Sequence, residues 1–500
     1  MMYRFIQAYL TRRYAGLQHA LHHPRQHQAR ILADLIRQGR KTKWGQAHGY
    51  SRLSGYDDFA RQVPIHTYEA FYPYIERVLK GEPDVLWPGR VRWFAKSSGT
   101  TNAISKFIPI PPRSLHENHY AAGKDMLAVY LHNYTGTHPS RISTGKILSI
   151  GGSSELSRYN AHARYGDLSA VLIENMPRLY ERGRAPSKRT ALMHEWEAKL
   201  EAMAHETLRQ HITGIAGVPT WTLVLLNKVM ALAGTRDLHA IWPGLEVFFH
   251  GAVSFAPYRS QFRQLIPHPQ MRYLETYNAS EGFFALQTEP HVYDLALLPH
   301  RGIFYEFRRT GTDAVVPLWQ VQAGVDYALL ISTLGGLWRY EIGDTVRFTQ
   351  AAAPYKLVIS GRTQHFINAF GEEVVVGNTD QALARACHLT HAEVAEYTAA
   401  PIYQNDAGKG GHEWVIEFAQ APGNLGAFVS ALDAELQQLN SDYAAKRYRD
   451  IALQLPLVHV VPPGTFHAWM KQRGKLGGQN KVPRLSNQRD YVEALLALQA

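Results

Sequence analysis

Six short apolar segments recur between Gly145 and Gly361, each closed by turn chemistry: 145–152 (GKILSIGG), 245–251 (LEVFFHG), 271–277 (MRYLETY), 302–307 (GIFYEF), 326–333 (DYALLIST) and 355–361 (YKLVISG). Helical stripes lie among them. Leu192, Trp196, Leu200 and Met203 share one face, and 221–234 (WTLVLLNKVMALAG) extends the pattern. Strands that alternate with helices restrict the chain to an α/β architecture, because each sheet face must be covered by helices. No internal repeat and no low-complexity tract interrupts this alternation.

Helical periodicity also marks residues 1–40. Leu10, Tyr14, Leu17 and Leu21 fall on one face, Pro24 interrupts, and Ile31, Leu32, Leu35 and Ile36 follow. Near Ser360 the character changes to a polar, turn-rich stretch, SGRTQHFINAFGEEV. Beyond it the pattern is compact and α+β: a capped helix in TDQALARA, a strand in EWVIEFA, and a helix with Leu425, Phe428, Leu432, Leu436 and Leu439 on one side. A strand pair or bent strand follows in ALQLPLVHVV. At 500 residues the chain exceeds one hydrophobic core. We read a large domain over 1–360 and a small one over 361–500.

Apolar residues make up 45% and charged residues 19%, which excludes a disordered chain. Lys and Arg exceed Asp and Glu by 11, a surplus that favours anionic partners or simply aids solubility. The single cysteine, Cys387, forbids an intramolecular disulfide and fits a reducing cytoplasm. Arg12 and Arg13 stand where a secretory signal needs its apolar run, and no apolar run approaches a membrane span. A cytoplasmic protein without a membrane partner is expected.

Four polar stretches carry chemistry. The first is FAKSSGTTNAISKFIP, 94–109, where Ser97, Ser98, Gly99, Thr100 and Thr101 offer hydroxyls and consecutive N–H groups, an anion nest. Lys106 adds a point charge suited to phosphate, although the loop lacks the Gly-Lys-Ser/Thr ending of an ordinary nucleotide-triphosphate loop. The second is YNASEGFF, 277–284, at a strand's end, where α/β folds place ligands. Tyr277 suits stacking on a flat base, and Glu281 suits a magnesium ion bridging phosphates. The third is GLWRYEIGDTVRF, 336–348, whose Asp344 is an acceptor suited to a ribose diol. The fourth is the basic tail KQRGKLGGQNKVPRLSNQR, 471–489, six cations without an acid on a glycine-rich loop. Each also has a bland reading: a Ser/Thr-rich surface turn, an exposed glutamate, a Gly-Asp β-turn, a solvated basic terminus.

Taken in order, these stretches resemble the auxin-responsive (Gretchen Hagen) family of acyl acid amido synthetases, a branch of the adenylate-forming enzyme superfamily. The matches are SSGTT with Lys106 and Pro109, Tyr277-x-x-Ser280-Glu281, Arg339-Tyr340-x-Ile342-Gly343-Asp344, the segment VPIHTYEAFYPYIERVLKGEPDVLWPG at 63–89, and GGQNKVPRL at 477–485. The resemblance runs from about Trp44 to the C-terminus.

It implies a large N-terminal domain with α/β layers and a β-barrel portion, plus a smaller, mobile α+β C-terminal domain, with ATP and Mg²⁺ bound between them. A carboxylic acid would attack the α-phosphate to give an acyl-adenylate, and an amine, typically of an amino acid, would displace AMP to form an amide. Ser97, Ser98, Gly99, Thr100, Thr101 and Lys106 match the phosphate loop, Tyr277 the adenine-stacking position with Ser280 beside it, Glu281 the magnesium position, and Asp344 the ribose carboxylate. Arg362 matches a nucleotide-contacting hinge arginine, and Lys481 the mobile lysine near the α-phosphate. Gly251 and Ala252, in the loop His250–Ser254, lie where relatives line the adenine pocket. Two departures stand out: Ile342 replaces the superfamily's usual Thr before Gly-Asp, and Asn480-Lys481-Val482-Pro483 replaces its terminal Gly-Lys, which makes Lys475 a rival to Lys481.

A preset anion site of hydroxyls, N–H groups, Mg²⁺ and lysine lowers the cost of bringing a carboxylate to ATP. The basic excess then needs no nucleic acid, and a monomer is expected. Coenzyme A in place of the amine, or a non-catalytic nucleotide- or acyl-binding role, are the alternatives. Other chemistries find no support: GGSSE at 151–155 lacks the closing glycine of a nucleophile elbow, His205 and His211 are six apart, and CHLTH at 387–391 has no companion ligand cluster.

Overall fold

The computed structural model describes the chain except residues 1, 98–105, 135–139, 152–155, 253–254, 256–257, 363–365, 368–371, 373, 403–409, 441–442, 445–446, 448–452, 476–480, 487 and 500. The side chains of 2–7, 97, 196, 220, 221, 362 and 366 also lie outside the description. Two compact units result: Met1–Ala252 with His268–Val358, and Val253–Pro267 with Ile359–Ala500.

The first unit opens with helices Met2–His22 and Pro24–Gly39. Pro24 stands at the start of the second helix, where its missing N–H costs nothing. Leu17 and Leu21 bury against Phe283, Leu286 and Leu298, so the apolar stripe read in the sequence covers one face of a sheet.

Sixteen strands follow among the described residues of this part of the chain. They are β1 (Trp93–Ser97), β2 (Lys106–Pro109), β3 (Lys146–Ile150), β4 (Ser157–Arg158), β5 (Arg164–Gly166), β6 (Arg184–Ala185), β7 (Ile212–Gly217) and β8 (Val247–Gly251). After them come β9 (Arg272–Ala279), β10 (Gly282–Leu286), β11 (Leu295–Leu297), β12 (Ile303–Arg309), β13 (Val315–Pro317), β14 (Asp326–Thr333), β15 (Tyr340–Gln350) and β16 (Lys356–Arg362). β2, β1, β5 and β4 form a four-stranded sheet, and the rest a twelve-stranded sheet in the order β13-β12-β14-β15-β16-β11-β10-β9-β8-β7-β3-β6. The run β6-β3-β7-β8-β9 is parallel, while β9-β10-β11-β16 and β15-β14-β12-β13 pair antiparallel.

All six strands read from apolar segments are present. The mixed α/β class with a large and a small unit holds, but no closed barrel forms among the described strands. Where a barrel portion was expected, the β10–β11 and β11–β16 ladders carry the hydrogen bonding onward from β9, so the antiparallel half is an extension of one open sheet ending at β13. Strand β7 (ITGIAG) escaped the sequence reading because its two glycines dilute the apolar signal.

The second unit contains a hairpin, β17 (Phe366–Ile367) with β18 (Val374–Val375), and a three-stranded sheet of β19 (Glu393–Ile402), β20 (Gly411–Gln420) and β21 (Leu457–Val461). Both faces of that sheet are covered. Helices Val376–Thr390 and Leu425–Leu439 pack Leu383, Phe428 and Leu432 against Tyr397, Trp414 and Ile416. On the other face, Phe466 and Trp469 of helix Thr465–Gln472 and Val492 of helix Asp490–Leu496 cover Ala400, Val415 and Val461. Asn424 caps the long helix by accepting from Ala427 N at 3.0 Å. Where a strand pair or bent strand was expected in ALQLPLVHVV, the described residues hold one strand, β21, with Leu453 making an isolated bridge to Gly410.

Candidate active site

Strands β8 and β9 run parallel, with Gly251 opposite Thr276, so their C-terminal ends lie side by side at the position where sheets of this kind take ligands. Gly251 belongs there for a steric reason. A Cβ on it would meet the Thr276 carbonyl oxygen at 2.4 Å and the Thr276 hydroxyl at 2.8 Å. Ala252, the next residue, has φ +72°, the left-handed region that alanine seldom adopts.

The segment YNASEG forms the β9–β10 hairpin. Ala279 pairs with Gly282, leaving Ser280 and Glu281 as the two turn residues. Both are buried, which is unusual for a hairpin tip and sets this turn apart from an exposed loop. Asn118 holds the turn from behind: its Oδ1 accepts from Phe283 N at 2.7 Å, and its Nδ2 donates to Arg301 O at 2.8 Å.

Asp344 reaches the same place from β15. Glu341 pairs with Leu330 and Thr345 with Ala328, so Ile342, Gly343 and Asp344 oppose Leu329 alone. This is a bulge, and Gly343 at φ +91° permits it. The bulge re-aims the carboxylate, and Tyr277 OH donates to Asp344 Oδ2 at 2.7 Å. Tyr277 is itself buried, its ring 4.8 Å from Phe284 at a 59° tilt. The second and third polar stretches are therefore in direct contact.

Lys106 opens β2 opposite Ser97 in the antiparallel β1–β2 pair. Its Nζ lies 3.5 Å from Tyr340 OH and 5.5 Å from the centre of the Tyr68 ring. Tyr68 OH in turn accepts from Phe107 N at 2.6 Å. Burial pushes the Tyr68 phenol up, and the Glu281 carboxylate is among the charges that add to this. Lys106, Tyr68, Tyr340 and Glu281 thus share one neighbourhood. Ser98, Gly99, Thr100 and Thr101 lie outside the described residues, as does the side chain of Ser97.

Tyr68 and Tyr340 were within the segments quoted from the sequence but carried no assigned role, and Asn118 had no signal at all. An asparagine that recognises a hairpin 165 residues away leaves no local pattern.

Arg339, just ahead of Tyr340, serves the frame. Its guanidinium pairs with Glu306 at 2.9 Å and donates to the carbonyls of Ala60 and Val63 at 2.7 Å each. Burial pushes the Glu306 carboxyl up, and Arg339 opposes that push.

In the second unit, Lys481 is described and exposed, while Arg362 ends β16 with its side chain outside the description. The backbone of Lys475 ends a helix. With Gly474 at φ +61°, Lys475 N donates to Met470 O at 2.9 Å and closes helix Thr465–Gln472.

Comparison with known proteins places the chain in a family. The family model described as GH3 family N-terminal domain matches residues 13–271, the central domain 296–362 and the C-terminal domain 377–490. Indole-3-acetic acid-amido synthetase GH3.8 of Oryza sativa subsp. indica is 23% identical, over 94% of this chain and 89% of its own. The 4-substituted benzoates-glutamate ligase GH3.12 of Arabidopsis thaliana is 22% identical, over 91% and 92%. Among solved structures, AtGH3.15 acyl acid amido synthetase in complex with 2,4-DB superposes with a TM-score of 0.82 at 16% identity, covering 98% of this chain and 96% of that one. A 2-hydroxyisobutyryl-CoA ligase in the postadenylation state gives 0.54 at 13%, covering 98% and 90%. No described helix is long and apolar enough to cross a membrane.

Proposed function

The chain belongs to the GH3 family, and from that membership we propose an ATP-dependent ligase that joins a carboxylic acid to the amine of an amino acid. The observation that carries this reading is the Tyr277–Asp344 hydrogen bond. It unites two of the polar stretches on which an adenylate site depends.

In the first half-reaction an oxygen of the acid attacks the α-phosphorus of ATP. The bond from that phosphorus to the bridging oxygen breaks, and pyrophosphate leaves. Asp344 accepts hydrogen bonds from the ribose, with Tyr277 fixing its orientation. Gly251 and Ala252 line the adenine pocket at the end of β8. Lys106 and the hydroxyl-rich loop 97–101 hold the β- and γ-phosphates, and Lys481 and Arg362 neutralise charge near the α-phosphate. Lys475 is the rival lysine for that place. In the second half-reaction the amine nitrogen attacks the acyl carbon and AMP departs.

A magnesium ion fits this donor set. Glu281 supplies a hard carboxylate oxygen beside Ser280, and Mg²⁺ commonly takes one or two carboxylates with substrate phosphates and water. When bound, the ion would neutralise phosphate charge. The protein works as a cytoplasmic monomer.

An ATP–pyrophosphate exchange screen over aryl and aliphatic acids tests the first step. Exchange with at least one acid is expected, and none with any acid defeats the proposal. Amino acids offered against coenzyme A, with the product identified by mass, test the second: an amide is expected, and a thioester alone would refute the amine acceptor.

A further inference from the structure

Lys481 stands three residues before Arg484, a span of at most about 10 Å in extended chain. Whatever fixes Arg484 therefore fixes the backbone that carries the lysine. The segment is bolted down at successive points along β19. Thr398 Oγ1 donates to Pro483 O at 2.6 Å, Ala399 N to Arg484 O at 2.9 Å, and Ser486 N to Ala399 O at 3.1 Å. Leu485 makes a parallel bridge with Ala399 and is fully buried.

The Arg484 side chain points inward. Its guanidinium lies 4.4 Å from the centre of the Tyr397 ring and 3.2 Å from Glu396 Oε1, and it donates to Tyr258 OH at 2.5 Å. Tyr258 is buried too, and it belongs to the segment Val253–Pro267, which leaves β8 directly after Ala252 and joins the second unit. The helix of this segment, Arg259–Leu265, is tied to the start of the same strand: Ser260 Oγ and Gln264 Nε2 donate to Glu393 Oε1 at 2.9 and 2.8 Å. One strand thus anchors the chain that exits the nucleotide strand and the chain that carries Lys481, and the Arg484–Tyr258 bond joins the two directly.

The Arg484 side chain is 12% exposed and its Nη1 has no hydrogen-bond partner among the described residues, so this largely buried guanidinium is costly to keep, and a leucine would hold a core with less demand. We propose that Tyr258 and Arg484 are positioning residues for adenylate formation: their hydrogen bond fixes the Lys481 backbone to the segment that follows Gly251 and Ala252. The inference rests on the reading of Lys481 as the lysine that serves the α-phosphate.

The test uses the full chain, with ATP–pyrophosphate exchange on the best acid of the screen. The variants are Tyr258→Phe, Arg484→Lys, Lys481→Ala and the double variant Lys481→Ala/Tyr258→Phe, with unfolding midpoints read in parallel. Tyr258→Phe keeps the ring and removes only the acceptor, so it stays folded where a change at Arg484 fails to. Its kcat for exchange should fall about tenfold with the KM for ATP within about twofold, the size of one charge-assisted hydrogen bond. Arg484→Lys, which loses the fork, should not rescue it. In the Lys481→Ala background, Tyr258→Phe should cost nothing further, because it acts through a lysine no longer there.

Undiminished kcat in Tyr258→Phe overturns the inference. So does a full additional loss in the Lys481→Ala background, which marks a general structural role. Undiminished exchange in Lys481→Ala alone defeats instead the assignment of the lysine on which the inference stands.

Discussion

Tyr277 and Asp344, 67 residues apart, meet in a 2.7 Å hydrogen bond beneath the C-terminal ends of the central strands. The contact depends on the bulge at Gly343 and on burial of the tyrosine ring beside Phe284, so it reads out correct assembly of the hairpin, the bulge and the core together. Removing either partner should damage nucleotide binding in a graded way. Asp344→Ala is expected to lower pyrophosphate exchange by about a hundredfold or more, and Tyr277→Phe by about tenfold, chiefly through the KM for ATP. Equal, near-native KM values in both would separate Asp344 from the ribose.

Glu281→Gln keeps the shape of the hairpin tip and removes the charge. Exchange should fall by on the order of a hundredfold, and the magnesium concentration at half-maximal rate should rise. A magnesium titration of wild type against variant decides it, and an unchanged midpoint would remove Glu281 from the metal.

Gly251→Ala places a methyl group 2.4 Å from a backbone oxygen, and backbone cannot step aside as a side-chain tip does. The β8–β9 pair must spread. We expect a loss of about 1–3 kcal/mol of stability and a raised KM for ATP, read by denaturant unfolding and by exchange.

Arg339→Met leaves Glu306 buried without its cation, beside carbonyls of Ala60 and Val63 that lose their donor. Breaking a buried pair by one partner costs about 3–5 kcal/mol. The fall should appear in the unfolding midpoint of the first unit, and a variant as stable as wild type would contradict the frame role.

His119, fully enclosed, is held down to about 4 by burial against an ordinary value of 6.5. The unfolded chain takes up a proton on this ring below pH 6.5 while the folded chain does not. Stability present above that value should therefore decline as pH falls from 6.5 toward 4, by up to about 3 kcal/mol. His119→Gln should flatten that part of the profile, measured as unfolding free energy against pH.

Much of the frame was legible because its signals are local. Apolar runs with turn residues located the six strands, the Pro24 break separated the first two helices, and the stripe Leu425, Phe428, Leu432, Leu436 and Leu439 marked the helix of the small unit. The candidate residues Tyr277, Ser280, Glu281 and Asp344 were legible as ordered motifs. Their neighbours were less so. Asn118 and Tyr68 act across 165 and 39 residues, and β7 was masked by its glycines.

What the amino-acid sequence determined by itself was the six apolar strands, the main helical stripes and the reactive side chains, since periodicity, caps and turn chemistry act within a few residues. Tertiary structure alone decided that Ile342–Asp344 bulge toward Tyr277, that the antiparallel strands extend one open sheet instead of closing, and that Val253–Pro267 joins the second unit beside Arg484. Those outcomes depend on ladders, packing and buried charge between segments far apart along the chain, and no short window of sequence contains both partners of such a contact.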